Sequence, residues 1–233
     1  GMIGFQPVQP VYASNSLRIS QVYSGGSGTD ATYTHDFIEI FNAGTAAVSL
    51  EGLSLQYASA TGDGNFGADS GNLTELPNVS LDPGKYFLVQ GSGGSVGASL
   101  PTPDLTDSTP IDLSNKSGKV ALVTGTESLG CNGSSTVCND EQLARIIDLI
   151  GYGTANYYEG TTAAPALSTT LSAQRKSNGC QDTDKNDDDF VAESPVPRNS
   201  ASPTNTCGPT ANPNAVFFSE YIEGGSSNKA LEI

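Results

Sequence analysis

An all-β sandwich is the fold this sequence predicts, and three observations predict it. The 233 residues include 27 Gly and 13 Pro, a composition suited to many short strands joined by turns. Apolar residues recur in short runs bounded by turn signals rather than at helical spacing. Runs of Ala, Leu, Glu and Lys that would favour long helices are missing.

The elements follow in order. L-R-I-S-Q-V-Y alternates from Leu17, placing Leu17, Ile19, Gln21 and Tyr23 on one face of a half-buried strand. A Gly/Ser/Thr loop leads to D-F-I-E-I-F-N, where Phe37, Ile38 and Ile40 mark a deeply buried strand. A-A-V-S-L-E-G-L-S-L-Q-Y gives two further strands around Glu51-Gly52, and a Gly/Asn-rich loop spans about 58–72. L-D-P-G-K-Y-F-L-V-Q is a turn running into a strand: proline presets the first corner and glycine supplies positive φ at the second. A long loop covers 91–110, and G-K-V-A-L-V is the next strand. E-Q-L-A-R-I-I-D-L-I has helical spacing, but its isoleucines and the closing G-Y-G favour a strand after a helical turn at 139–144. T-T-L-S-A-Q-R is the last strand candidate.

Charge narrows the function. Ten Lys+Arg against 25 Asp+Glu leave a formal net charge of −15, which opposes direct nucleic-acid binding because that relies on cationic side chains displacing counterions. The chain has no apolar run long enough to span a membrane. The start, through V-Y-A, reads as a tag and signal-peptide remnant, so residues 1–16 form an N-terminal arm. Four cysteines, Cys131, Cys138, Cys180 and Cys207, allow three connectivities. Pairing Cys131 with Cys138 closes a short Gly/Ser loop, and Cys180 with Cys207 then ties an acidic loop to the domain end. Four free thiols are the alternative. Disulfides imply an oxidising compartment.

These stretches, taken in order and continued by D-T-D-K-N-D-D-D-F and P-V-P-R-N-S, resemble the bacterial lamin-tail domain over residues 17–203. The resemblance implies an immunoglobulin-like β-sandwich without catalytic residues, of the kind that accompanies secreted or surface-attached hydrolases, notably extracellular nucleases. The domain is placed at 17–207. The end of the chain, F-F-S-E-Y-I-E-G-G-S-S-N-K-A-L-E-I, echoes its beginning. Ser219-Glu220 stands where Ser20-Gln21 stood, and Leu231-Glu232-Ile233 where Ile38-Glu39-Ile40 stood. Residues 208–215 therefore read as a linker and 216–233 as the truncated start of a second copy. Its strand pair would expose Val216, Phe217, Phe218 and Tyr221 and pair with a sheet edge.

The acidic loop is the candidate metal site. Asp182, Asp184, Asn186 and Glu193 match positions 1, 3, 5 and 12 of an EF-hand loop, and Asp188 falls at position 7. Asp187 stands where glycine is required, and no helices flank the loop, which excludes the EF-hand itself. A calcium loop of another geometry is weighed against a structural loop whose Asp and Asn side chains bond backbone amides. No other cofactor is implied. Phe190 is a core anchor on either reading. Tyr157 and Tyr158 are candidates for stacking on a glycan.

Other motifs weigh little. Gly62–Gly67 fits a dinucleotide fingerprint without its βαβ unit, and Gly93–Gly97 fits a nucleophile elbow without its helix. His35, the single histidine, has no matching triad. The expectation is a secreted, non-catalytic binding or tethering module whose partner is a protein, cell surface or glycan. A calcium-dependent carbohydrate- or surface-binding module is the alternative, and a hydrolytic enzyme ranks behind both.

Overall fold

The computed structural model describes residues 16–208 and, for backbone pairing, 220–223 and 229–232. The N-terminal arm before Ser16, most of the linker, and the exposure expected of Val216, Phe217, Phe218 and Tyr221 lie outside the described residues.

The strands are β1 (Leu17–Tyr23), β2 (His35–Asn42), β3 (Val48–Ser49), β4 (Leu53–Ser59), β5 (Leu73–Glu75), β6 (Ser80–Leu81), β7 (Tyr86–Gly93), β8 (Leu105–Thr106), β9 (Gly118–Thr124), β10 (Ile146–Tyr152), β11 (Ser172–Arg175), β12 (Phe190–Glu193), β13 (Glu220–Glu223) and β14 (Lys229–Glu232). Two single-turn helices, α1 (Asp140–Leu143) and α2 (Asn186–Asp189), interrupt them. Six strands form the larger sheet in the order β12-β11-β1-β2-β7-β8, and four form the smaller in the order β10-β9-β4-β5. Every pairing in these sheets is antiparallel except β7 with β8.

The sheets pack face to face as an immunoglobulin-like β-sandwich. Ile19, Val22, Ile38 and Ile40 from the larger sheet meet Leu55, Val120, Leu122 and Ile150 from the smaller. Burying one such side chain contributes about 1.5–3 kcal/mol, so this layer carries most of the driving force. A second apolar layer covers the outer face of the smaller sheet. There Val123 and Leu149 pack under Phe66, Leu129 and the Cys131–Cys138 disulfide.

The strand and turn expectations meet the structure at several points. Gly84 takes φ +71° in the turn before β7, with Lys85 N–H donating to Asp82 O (3.2 Å). Residues 139–144 form a helical turn capped reciprocally by Asn139 and Gln142, and the isoleucine run is strand β10. One expectation is corrected. The register of β1 shifts between Ile19 and Gln21, so Leu17 and Ile19 share a face with Val22, not with Gln21 and Tyr23. The bulge adds one residue to the strand and reverses the alternation beyond it. Tyr23 therefore joins Phe37 and Leu88 on the outer face. Two strands arise where loops were expected: β8 within 91–110, and β12 directly after the acidic loop.

Candidate functional site

The acidic loop is organised around a buried arginine. Arg175 ends β11 and is fully buried. Its Nη2 donates to both carboxylate oxygens of Asp148, at 2.8 and 2.7 Å. Its Nη1 donates to Asp182 at 3.0 Å and lies 3.7 Å from Asp189. The guanidinium carbon lies 4.5 Å from the centre of the Phe190 ring.

This pair completes the bulge in β1. Arg175 Nε–H donates to Ile19 O (2.9 Å), while Ile19 N–H donates to Asp148 Oδ2. Both peptide groups of Ile19 are thus satisfied by side chains from other strands. Unpaired and buried, each would cost about 1–3 kcal/mol. The ion pair therefore joins β10 of one sheet to β1 and β11 of the other. Burial pushes Asp148 up to about 6, against the pull of Arg175, which lowers it.

The rest of the loop follows the same logic. The Asn186 carboxamide donates to Leu149 O (2.9 Å) and accepts from Gly151 N–H (2.8 Å), so it caps the free edge of β10 as a strand residue would. It also donates to Glu159 Oε2 (3.1 Å). Burial first, and the nearby Asp148 second, hold Glu159 well above the usual carboxylate range. Buried Asp189 accepts from Thr183 N–H (2.8 Å) and Thr183 Oγ1 (2.9 Å). Asp182 pairs with Arg18 as well, at 3.0 Å.

Of the five residues singled out as metal ligands, Asp182 joins a carboxylate group with Asp148 and Glu159, whose oxygens lie within 4.8 Å of one another. Asn186 touches that group through Glu159. Asp184 is exposed. Asp188 pairs with Lys185 at the surface (3.5 Å), and Glu193 lies on β12 opposite Ser172. The carboxylates that converge are thus mostly not those of the EF-hand spacing. The Arg175 guanidinium lies among them, bonded to Asp148 and Asp182. Two signals for the missed residues were present: an aspartate inside the apolar run I-I-D-L-I, and an arginine closing the strand S-A-Q-R. A charge inside a buried strand demands a partner.

A second clasp crosses the outer face of the larger sheet. Glu39 is fully buried and accepts from Arg198 Nη2 (2.7 Å), Arg198 Nε (3.2 Å) and Arg198 N–H (2.7 Å). The Arg198 guanidinium stacks 3.9 Å above Tyr86, which stacks on Phe41. The Gln21 carboxamide pairs with both peptide groups of Val196, at 2.9 Å each. Residues 194–205 therefore form a strap, and the Cys180–Cys207 disulfide closes it.

Two further buried ionisable groups hold loops. Asp36 accepts from Gly26 N–H (2.8 Å) and Leu113 N–H (3.1 Å), and burial pushes it up to about 7. Lys119 donates to Asn132 O (3.0 Å) and Asn156 Oδ1 (2.9 Å), and burial pulls it down to about 8. The Tyr157 ring packs on Gly133 of the disulfide loop, where a Cβ would meet it at 2.0 Å. Tyr158 is half-buried beside Gly151. His35 Nδ1 hydrogen-bonds Thr34 Oγ1 (2.9 Å).

At the far side of the sandwich, an open groove of about 440 Å³ lies between Ser70, Leu73 and Glu75 on one side and Leu105–Thr109 on the other. No helix among the described residues is long and apolar enough to cross a membrane.

Comparison with known proteins adds a family. A family model described as Lamin Tail Domain matches residues 10–154. That match ends just past β10, although β11 and β12 complete the larger sheet. No curated protein matches the chain. Among solved structures, it is similar to the crystal structure of a DUF4876 family protein from Bacteroides thetaiotaomicron, at 14% identity, covering 82% of this chain and 74% of that one, with a TM-score of 0.48.

Proposed function

Because the chain belongs to the lamin tail domain family, we propose that it is a non-catalytic binding and tethering module of a larger secreted or surface-attached bacterial protein. In this reading it is accessory to a hydrolase such as an extracellular nuclease. One observation carries the proposal: the buried carboxylates are engaged in holding the sandwich together. Asp148 and Glu39 hold arginines and peptide groups, and Asp36 holds two loop amides. A catalytic acid needs a proton to exchange with substrate, and these groups face protein. The two disulfides fit an oxidising, extracellular setting.

The module reading extends to a tandem. β13 and β14 pair with Glu220 opposite Glu232, Tyr221 opposite Leu231 and Ile222 opposite Ala230. In the first hairpin Gln21 stands opposite Glu39, Val22 opposite Ile38 and Tyr23 opposite Phe37. The sequence echo superimposes these pairs one for one, so the register of the β1–β2 hairpin recurs at 220–232. This supports the reading of 216–233 as the opening of a second lamin-tail sandwich, with 208–215 as linker.

The test is direct. The 233-residue chain is incubated with single- and double-stranded DNA in Mg²⁺ or Ca²⁺, and the expected result is no hydrolysis above buffer. Cleavage that co-purifies with the folded chain overturns the non-catalytic reading. For the tandem, a segment of the parent protein beginning at residue 209 is expected to unfold as its own cooperative unit. A single transition shared with residues 16–208 refutes it.

A further inference from the structure

The sandwich has two seams, and among the described residues only one is closed. Between β10 and β1 the peptide edge is taken by Asn186, Asp148 and Arg175. Between β5 and β8 it is open. Leu76 N–H donates to Leu53 O (2.9 Å). Antiparallel alternation then turns the peptide groups of Glu75, and the carbonyl of Leu73, away from β4. Across the groove, β8 runs parallel to β7 with Asp104 N–H on Leu88 O (2.9 Å), which turns the peptide groups of Leu105 outward. These outward groups carry no hydrogen bond to another described residue.

The groove between the two edges has a defined chemistry. Leu73 and Leu105 are half-buried within it. Its charged lining residues are Glu75 and Asp107, and the lining holds no lysine or arginine. We propose that the β5 edge takes up an extended peptide strand bearing Lys or Arg, which pairs with the free peptide groups of Glu75 and Leu73 and sets its basic side chains against Glu75 and Asp107. Three features select this occupant. Free edge groups are matched by another extended backbone. Half-buried leucines accept the alternate apolar side chains of a strand. Two carboxylates on a chain of net charge −15 attract basic segments and repel acidic ones. An edge of three residues makes few ladder bonds, so single-site binding is weak, and tandem copies raise it through effective concentration.

This proposal deepens the binding-module reading and rests on it. The experiment titrates acetyl-Lys-Val-Lys-Val-Lys-Val-amide into the ¹⁵N-labelled 233-residue chain and follows the amide resonances. The expected result is shifts concentrated at Leu73, Glu75 and Leu105, weakening at high salt. The Glu75→Lys/Asp107→Lys chain, with unchanged thermal stability, is expected to lose about tenfold or more in affinity. A peptide N-methylated at every residue is expected not to bind, because neither of its edges can donate to the ladder. Equal binding of the N-methylated peptide, shifts away from β5, or no binding overturns the docking site. None of those results touches the module reading, which falls with DNA hydrolysis by the same chain.

Discussion

Replacing Arg175 with methionine tests whether the acidic loop is built around a guanidinium. Methionine keeps much of the stem volume and can stay over Phe190. It deletes the bonds to Asp148, Asp182 and Ile19 O and leaves buried carboxylates facing one another. Breaking a buried pair by removing one partner costs about 3–5 kcal/mol. At roughly 2–4 °C per kcal/mol for a domain of this size, the melting temperature should fall by about 6–20 °C. The assay is thermal and urea unfolding followed by far-UV circular dichroism. The double variant Arg175→Met/Asp148→Leu should recover part of the loss, since it leaves one fewer unpaired charge, but not all, because Ile19 N–H loses its acceptor.

The pH dependence sharpens the test. Asp148 is held up to about 6 in the folded protein, above its ordinary 3.8. A raised carboxyl stabilises the fold fully below its unfolded value, and that contribution is lost as pH rises through the folded value. Without Arg175 the folded value rises further, so the cost of Arg175→Met should be larger at pH 8 than at pH 5. A loss under about 1 kcal/mol, the range of exposed pairs, or a cost independent of pH would refute the clasp.

Three further outcomes follow from the same structure. Asp36, pushed up to about 7 from 3.8 by burial, should make stability decline as pH rises from about 4 to 7; melting curves across that range should be flatter in Asp36→Asn, and an unchanged slope assigns the effect elsewhere. Glu39→Gln leaves Arg198 without its counter-charge, so the strap at 194–200 should be cleaved faster by a non-specific protease, with about 2–4 kcal/mol lost in unfolding; wild-type cleavage rates would show that the strap is held by other contacts. Replacing Cys180 and Cys207 by serine removes a cross-link spanning 27 residues and should cost about 3.5 kcal/mol by loop entropy, against about 2.5 kcal/mol for the Cys131–Cys138 pair, measured by denaturant unfolding; the reverse order would show that the strap is held without its disulfide.

The architecture was legible wherever a strand buried one face over several residues. The isoleucines of β2 and β10 and the turn before β7 announced themselves because periodicity and turn chemistry are local. What was hidden depended on distant partners. Nothing in L-R-I-S-Q-V-Y marks the bulge after Ile19: it carries no glycine, and its peptide groups are satisfied by Asp148 and Arg175, more than a hundred residues away. β5 and β8 were unreadable because two or three residues cannot display an alternation. β12 was obscured by the aspartates before it, which leave only Phe190 and Val191 as an apolar run too short to display an alternation.

The crowding of aspartates is explained by geometry more than by charge. Asn186 imitates a strand residue against β10. Asp189 gathers the amides of Thr183 and Lys185, and Asp182 bridges Arg18 and Arg175. Each acid stands where the chain needs an acceptor that secondary structure does not provide, as expected of Asp and Asn in irregular backbone. Asp184 and Asp187 are exposed to solvent, and Asp188 pairs with Lys185 at the surface. The same accounting separates the two seams. At β10 the sequence provides side chains that imitate a neighbouring strand, and the edge is closed from within. At β5 the described residues provide none, and the groove that remains is lined by Glu75 and Asp107 with no Lys or Arg in its lining. One edge is closed by the buried side chains of Asn186, Asp148 and Arg175, and the other, bare among the described residues, is the edge on which the proposed peptide strand would pair.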